Sequence, residues 1–340
     1  MANLAPAYSQ VSPNYTAPEI ILNFNQVSGA FEMFATGEPM VRLGDGDLYV
    51  YQKRMDIRTI AAAGQVAYNQ LPSVSVVPSQ INTPTYLLRV RAEYDHHDTA
   101  GFSRWGASLP ESQKLGMRQG IFQASRNAAI YGMNPAGGEG IINTAGATAI
   151  SLPPDSNGND TLVTYDNGQL AEFFLTLVTS ILTRMYQMGQ VGRIVVLGPQ
   201  RILAPMEMQN IVQLTQFQRT GAGTETSKGL IEDILKRNGY TLEWCYDDTL
   251  QGQGAGGTDA VILTVPEIKK PKIPNWNTNT FADLTPGMLA TNVMYCDMVA
   301  PREIPTPLPG GAIDVLSELR ITSGWGQRGE AVTVLSIQYE

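Results

Sequence analysis

Leu115-Gly-Met-Arg-Gln-Gly-Ile-Phe-Gln-Ala-Ser-Arg-Asn-Ala-Ala-Ile-Tyr-Gly132 leads, after a short loop, into Glu139-Gly-Ile-Ile-Asn-Thr-Ala-Gly146, and the rest of the chain is organised around this stretch. Met117, Ile121, Ala124, Ala128 and Tyr131 recur at helical spacing and form one apolar stripe. Pro110 and Glu111 suit the first turn of that helix, and Gly132 suits its end. A long helix over 110–132, closed by a glycine-rich loop, is therefore expected.

Upstream, Tyr86, Leu88, Val90, Ala92 and Tyr94 alternate with Thr85, Leu87, Arg89, Arg91 and Glu93. This is a strand of about ten residues, roughly 33 Å long, with one apolar and one largely charged face. Its length suggests a two-stranded arm projecting from the body. Asp45-Gly46, between Met40–Leu43 and Leu48–Tyr51, has the composition of a tight hairpin turn. The first 30 or so residues carry Pro6, Pro13 and Pro18, almost no charge, and scattered Tyr8, Tyr15, Ile20, Ile21 and Phe24. They read as an extended arm that must be covered either by its own core or by a neighbouring subunit.

Downstream, Leu170, Phe174, Leu177, Ile181, Met185 and Met188 mark a helix over 169–188. Arg193–Leu197 then reads as a buried strand, 226–238 as a helix, Leu242, Trp244 and Tyr246 as an alternating strand, and Ala260–Val265 as another buried strand. This order is that of a compact α/β unit between 166 and 266. Ala331–Tyr339 is β again.

Composition bounds the function. Lys+Arg 23 against Asp+Glu 31 gives a net charge of −8, the wrong sign for a generic nucleic-acid binder. Charged residues make up only 16% of the 340, well below the roughly 25% of an ordinary globular chain. So few charges imply much partner-facing surface, most simply against copies of the same chain. No apolar run is long enough to span a bilayer, and no secretory signal is visible at Met1–Tyr8. Two cysteines, Cys245 and Cys296, suit a reducing compartment and read as small core residues.

The motifs with chemical potential have plainer explanations. Gly252, Gly254 and Gly257 have dinucleotide-loop spacing, but a strand follows where a helix should open, so they form a turn between strands. Asp95-His96-His97-Asp98 contains both histidines, and it reads as the solvated, extended end of the long strand. Neighbouring side chains there point apart and do not grip one metal. Asp155–Asp160 lacks calcium-loop spacing and reads as a surface turn. No cofactor or metal is expected, and no catalytic group stands in a recognisable frame.

The segments 115–132, 139–146, Ile194–Gln200 and Leu230–Val265, in this order, resemble the major capsid proteins of tailed bacteriophages, the Hong Kong 97-type fold shared with encapsulins. The resemblance covers nearly the whole chain through soft patterns, and no invariant residues carry it. It implies an α+β capsid fold: an N-terminal arm over 1–39, an extended loop over 40–95, a peripheral domain over 96–165 and 285–340 with a long spine helix, and an axial α/β domain over 166–284. It implies a structural protein of the virion, assembled in the host bacterial cytoplasm into an icosahedral shell of hexamers and pentamers around double-stranded DNA. Portal, scaffold and decoration proteins are the further partners implied; DNA contact would be weak and non-specific, and no membrane is involved. The short N-terminus leaves no room for a built-in scaffolding domain, and no cross-linking Lys–Asn pair can be matched. Tyr86, Arg89, Arg91, Tyr8, Tyr15 and Phe24 are the residues expected at inter-subunit contacts, the arginines against acidic side chains of the neighbour. An encapsulin-like compartment with an internal cargo, or an enzyme sited on the axial lobe, remains an alternative.

Overall fold

The computed structural model describes residues 29–34, 41–58, 75–104, 106, 108–155, 157–165, 167–185, 190–208, 210–211, 225–270, 291–298 and 300–340. In chain order its main elements are β1 Tyr49–Arg58, β2 Ser75–Tyr94, α1 His96–Ser103, α2 Leu109–Tyr131 and β3 Thr148–Ser151, then α3 Asn167–Met185, β4 Arg193–Gly198 and α4 Gln200–Met208. They continue with α5 Ser227–Arg237, β5 Thr241–Tyr246, β6 Asp259–Thr264, β7 Arg302–Pro307, β8 Ile313–Thr322 and β9 Val332–Ile337.

Two sheets carry the architecture. The first is mixed, in the order β3-β9-β6-β4-β5, with β3 parallel to β9, β4 parallel to β5 and the inner pairs antiparallel. Its strands are apolar on both sides, as a sheet covered on both faces must be. Ile194, Val196, Val261, Leu263, Leu335 and Ile337 face one layer, formed by Leu170, Phe174, Leu177 and Ile181 of α3 with Ile231 and Leu235 of α5. The interleaved Val195, Leu197, Ala260, Ile262 and Val332 face a second layer, which includes Ala129 and Ile130 of α2, Tyr295 and Ile321. Each of these large side chains contributes about 1.5–3 kcal/mol on full burial.

The final strand and β3 were expected in the peripheral domain, yet both belong to this sheet: β9 pairs with β6 from Val332↔Thr264 to Ile337↔Asp259. The reason is that β6 is buried along its whole length and therefore needs a neighbour on each side.

The second sheet, β1-β2-β8-β7, is antiparallel throughout. α2 lies across one face, where Leu88 and Leu319 are buried and Glu303 meets Lys114 at 2.6 Å and Arg118 at 3.2 Å. Strand β2 changes partner midway: Ser75–Pro84 pairs with β1, and Thr85–Tyr94 pairs with β8. The alternating stretch 85–94, expected within a projecting arm, pairs along its length with β8, and the two-stranded ribbon is Tyr49–Arg58 with Ser75–Pro84.

Two local expectations are corrected. Asp45-Gly46 does form a turn, with the Gly44 amide donating to Asp47 Oδ2 at 2.7 Å, but it joins no hairpin. Gly46 is not among the glycines at positive φ, and the Leu43 amide donates to the Asp297 carbonyl instead. His96 and His97 open a helix and do not end a strand: Asp95 caps it by accepting from the Asp98 amide at 2.8 Å, and the two rings lie tilted at 39° with centroids 3.9 Å apart. The glycine turn at 252–257 joins β5 to β6 as expected, although β4 separates those strands in the sheet. Asp155 organises its surface turn by accepting from the amides of Asn157 and Asn159, and these bonds hold its carboxyl below the usual range. Met188 lies outside the described residues, as does the arm before Gly29.

Candidate functional site

Two places stand out: the junction where α2 ends, and the ribbon. At the junction, Gly132 and Gly140 adopt φ of 77° and 92°. A Cβ on Gly132 would lie 2.5 Å from the Glu139 carbonyl, and one on Gly140 would collide with the Tyr131 and Gly132 backbone. The loop between them therefore closes back onto the helix end. Asn143 Nδ2 secures it by donating to the Glu139 carbonyl at 3.0 Å and the Tyr131 carbonyl at 3.3 Å.

The Glu139 carboxylate is the polar centre of the junction. It accepts from Tyr86 OH at 2.7 and 2.9 Å, from Ser323 Oγ at 2.8 Å and from the Asn134 amide at 3.1 Å. Ser323 in turn accepts from the Met133 amide. One side chain thus ties β2, the helix end and the segment after β8 together. Burial, and then the bond to Glu139, push the Tyr86 phenol up to about 12. Tyr86, expected at an inter-subunit contact, is used inside the subunit. Sequence reasoning does not reach Glu139 because its three donors come from three separated stretches; its place just before the Gly-Ile-Ile-Asn turn is the one signal.

Arg89 and Arg91 also have partners in their own chain. Arg91 Nε lies 2.7 Å from Asp314 and its Nη2 3.0 Å from Glu93, while Arg89 lies 3.4 Å from Glu318. Cross-strand register with β8 dictates this pairing, since Arg89 stands opposite Glu318 and Glu93 opposite Asp314. These ion pairs lie on one exposed face of the sheet, with the Arg89 and Arg91 side chains more than half exposed. Tyr8, Tyr15 and Phe24 lie outside the described residues.

The N-terminal segment shows its cover from Ala30 onward. Ala30, Met33 and Phe34 are fully buried, and Phe34 meets Tyr295 edge-on with centroids 4.7 Å apart. Residues 30–34 therefore pack on their own subunit.

The ribbon is different. At its root Gln52 and Thr83 are buried; Gln52 accepts from Trp325 Nε1 at 3.3 Å and donates to Met294 Sδ at 3.7 Å. Across the ribbon, Tyr49 and Tyr51 point the other way and are 53% and 62% exposed. Further out, Val77 to Gln80 are exposed on both faces of the strand. A strand bare on both faces has left the body. The Tyr-Val-Tyr spacing of 49–51 was a visible sign of this surface.

The chemistry elsewhere is sparse. Burial pushes both cysteine thiols up to about 11, as small core residues. The groove between α3 and α5 holds Thr179, Thr183, Arg184, Asn238 and Tyr240, with no carboxylate, histidine or cysteine among the described residues of its lining. Among the described residues no cluster of three metal-ligating side chains occurs, and no helix is long and apolar enough to cross a membrane.

No protein-family model matches the chain, and no curated protein matches it. Solved structures do. The capsid of Myoviridae Phage XM1 superposes with a TM-score of 0.66 at 10% identity, over 95% of this chain and 96% of that one. The capsid of the Cyanophage P-SCSP1u gives 0.58 at 9% identity, over 96% and 93%. The capsid of an empty GTA particle gives 0.54 at 10% identity, over 96% and 95%. In its described residues this chain has the α+β, Hong Kong 97-type fold of these capsid structures.

Proposed function

We propose that this chain is a major capsid protein, a structural subunit and not an enzyme, which assembles with copies of itself into a closed icosahedral shell around double-stranded DNA. The end-to-end likeness to capsid subunits carries the reading. The ribbon supports it, because exposed Leu48, Tyr49, Tyr51 and Val77 are apolar surface that a neighbouring subunit would cover. On this reading the outer face of the ribbon joins Arg89 and Arg91 as inter-subunit contact surface. The axial unit, on this reading, includes β3 and β9 along with 166–284. The protein belongs to the virion, with portal, scaffold and decoration proteins as further partners and only weak contact to DNA, given its acidic balance.

Electron microscopy of the purified chain, alone and with its scaffolding protein, tests the proposal. Closed hollow particles of uniform diameter are expected. A discrete small oligomer under both conditions would overturn it, and particles that enclose a protein cargo in place of DNA would favour the encapsulin-like alternative.

A further inference from the structure

Residues 29–34 lie between the mixed sheet and α2, and the two sides hold them by different chemistry. On the sheet side the bonds are polar and reach three neighbouring strands, in the order β6-β4-β5. The Gly29 amide donates to the Tyr246 carbonyl of β5 at 3.2 Å. Arg193 of β4 donates through Nη2 to the Phe34 carbonyl at 3.1 Å, and its Nη1 lies 3.6 Å from Glu32. Thr264 of β6, fully buried, donates through Oγ1 to the Met33 carbonyl at 3.4 Å. The segment lies flush on the strands: a Cβ on Gly29 would stand 2.8 Å from Cys245 Cβ.

On the other side the contacts are aromatic. The Phe31 ring centroid is 5.5 Å from that of Phe122 of α2 and 5.4 Å from that of Tyr295. Phe34 meets Tyr295 in turn, and its ring together with the Ala129 carbonyl of α2 leaves no room for a Cβ on Gly324, just after β8. The direct polar links from α2 to the end of β5 are slighter. Tyr131 OH donates to the Thr249 carbonyl at 2.8 Å, while Arg126 Nε stands 3.9 Å from Asp247, buried and without a hydrogen bond.

We propose that residues 29–34 form a strap that couples the two sheets. While its rings are seated, the subunit opens as one unit. With the rings removed, α2 and the antiparallel sheet open separately from the mixed sheet. A single turn this short has no stability of its own, so its shape comes entirely from its seat. Ala30, Met33 and Phe34 share one apolar cluster with Val195, Leu197 and Ile262 on one side and Ile130 and Ile321 on the other. Parts of a protein that share buried apolar contacts open together, and parts that lose them open apart. The coupling is a property of the single subunit and stands or falls independently of shell formation.

Residue-level hydrogen exchange on the unassembled full chain tests it. In a Phe31→Ala, Phe34→Ala double variant, the amides of Ile121 and Ser125 in α2 and Leu319 in β8 should gain on those of Ile262 and Leu263 in β6. Their ratio of exchange rates is expected to rise at least about tenfold over that of the native chain. Phe174→Ala, on the opposite face of the mixed sheet, should speed both sets alike, because the strap stays seated. Phe34→Leu keeps apolar bulk but loses the ring against Tyr295; it should raise the same ratio about threefold, and it decides the matter if the double variant does not fold. An unchanged ratio in the folded variant would overturn the proposal, and so would an equal rise in Phe174→Ala.

Discussion

The two sheets of this subunit solve opposite problems. The mixed sheet is covered on both faces by its own chain, and β6 shows buried side chains from Asp259 to Thr264. The antiparallel sheet is covered by α2 on one face, carries charge pairs on the other, and runs out into a ribbon whose Val77–Gln80 stretch is exposed on both faces. One sheet is closed within the subunit; the other leaves apolar and charged side chains exposed, which the proposed shell would cover. Substitutions in the first should therefore change folding, and substitutions at the ribbon should change assembly.

The largest effect is expected at the junction that joins the two. Gly140→Ala asks an L-residue to hold φ 92° with its Cβ against the Tyr131 backbone, and should cost about 4 kcal/mol or more, read as loss of folded protein in chemical denaturation. Phe174→Ala, in the covered sheet's core, should cost about 3–5 kcal/mol in the same measurement. Tyr86→Phe should cost about 1 kcal/mol by removing its bond to Glu139. Its pH dependence has a definite sign. The folded phenol is raised to about 12 from its ordinary value near 10, so the contribution is complete below pH 10 and disappears between pH 10 and 12. Melting curves of the two proteins should converge across that window.

Smaller effects mark the exposed sheet. Lys114, by its hydrogen bond first and its charge next, holds the Glu303 carboxyl below the usual range, with Arg118 adding to it. That stabilisation is present above the unfolded carboxyl's pKa and is lost as pH falls through the lowered folded value; Glu303→Gln should cost no more than about 0.5 kcal/mol near neutrality. Tyr51→Ala should change subunit stability least, by less than about 0.5 kcal/mol, because the ring is 62% exposed. Its effect should instead appear as a loss of particles in sedimentation. If Tyr51→Ala unfolds the subunit, the contrast between the sheets fails.

Much of this was legible in the sequence, for reasons that differ by region. The stripe Met117, Ile121 and Ala128 gave α2 because periodicity encodes which face is buried. The run Arg193–Leu197 gave β4 because a short apolar stretch between helices has few other homes. Long-range pairing was not encoded locally. Nothing within Val332–Ile337 says that its neighbour is β6, and nothing in 85–94 says that its charged face would meet Asp314 and Glu318 of its own chain. Charge alternation told which face was exposed, but not whose acids would answer it. The same limit hid Glu139, whose importance lies entirely in donors brought from residues 86, 134 and 323.

The most direct measurement compares backbone hydrogen exchange in isolated subunits and in assembled particles. The ribbon amides of Tyr49–Arg58 and Ser75–Pro84 should exchange rapidly in the subunit and become protected in the particle, while those of β4 and β6 stay protected in both. Ribbon amides already protected in the lone subunit, or unchanged on assembly, would contradict a fold whose outer ribbon is finished by its neighbours.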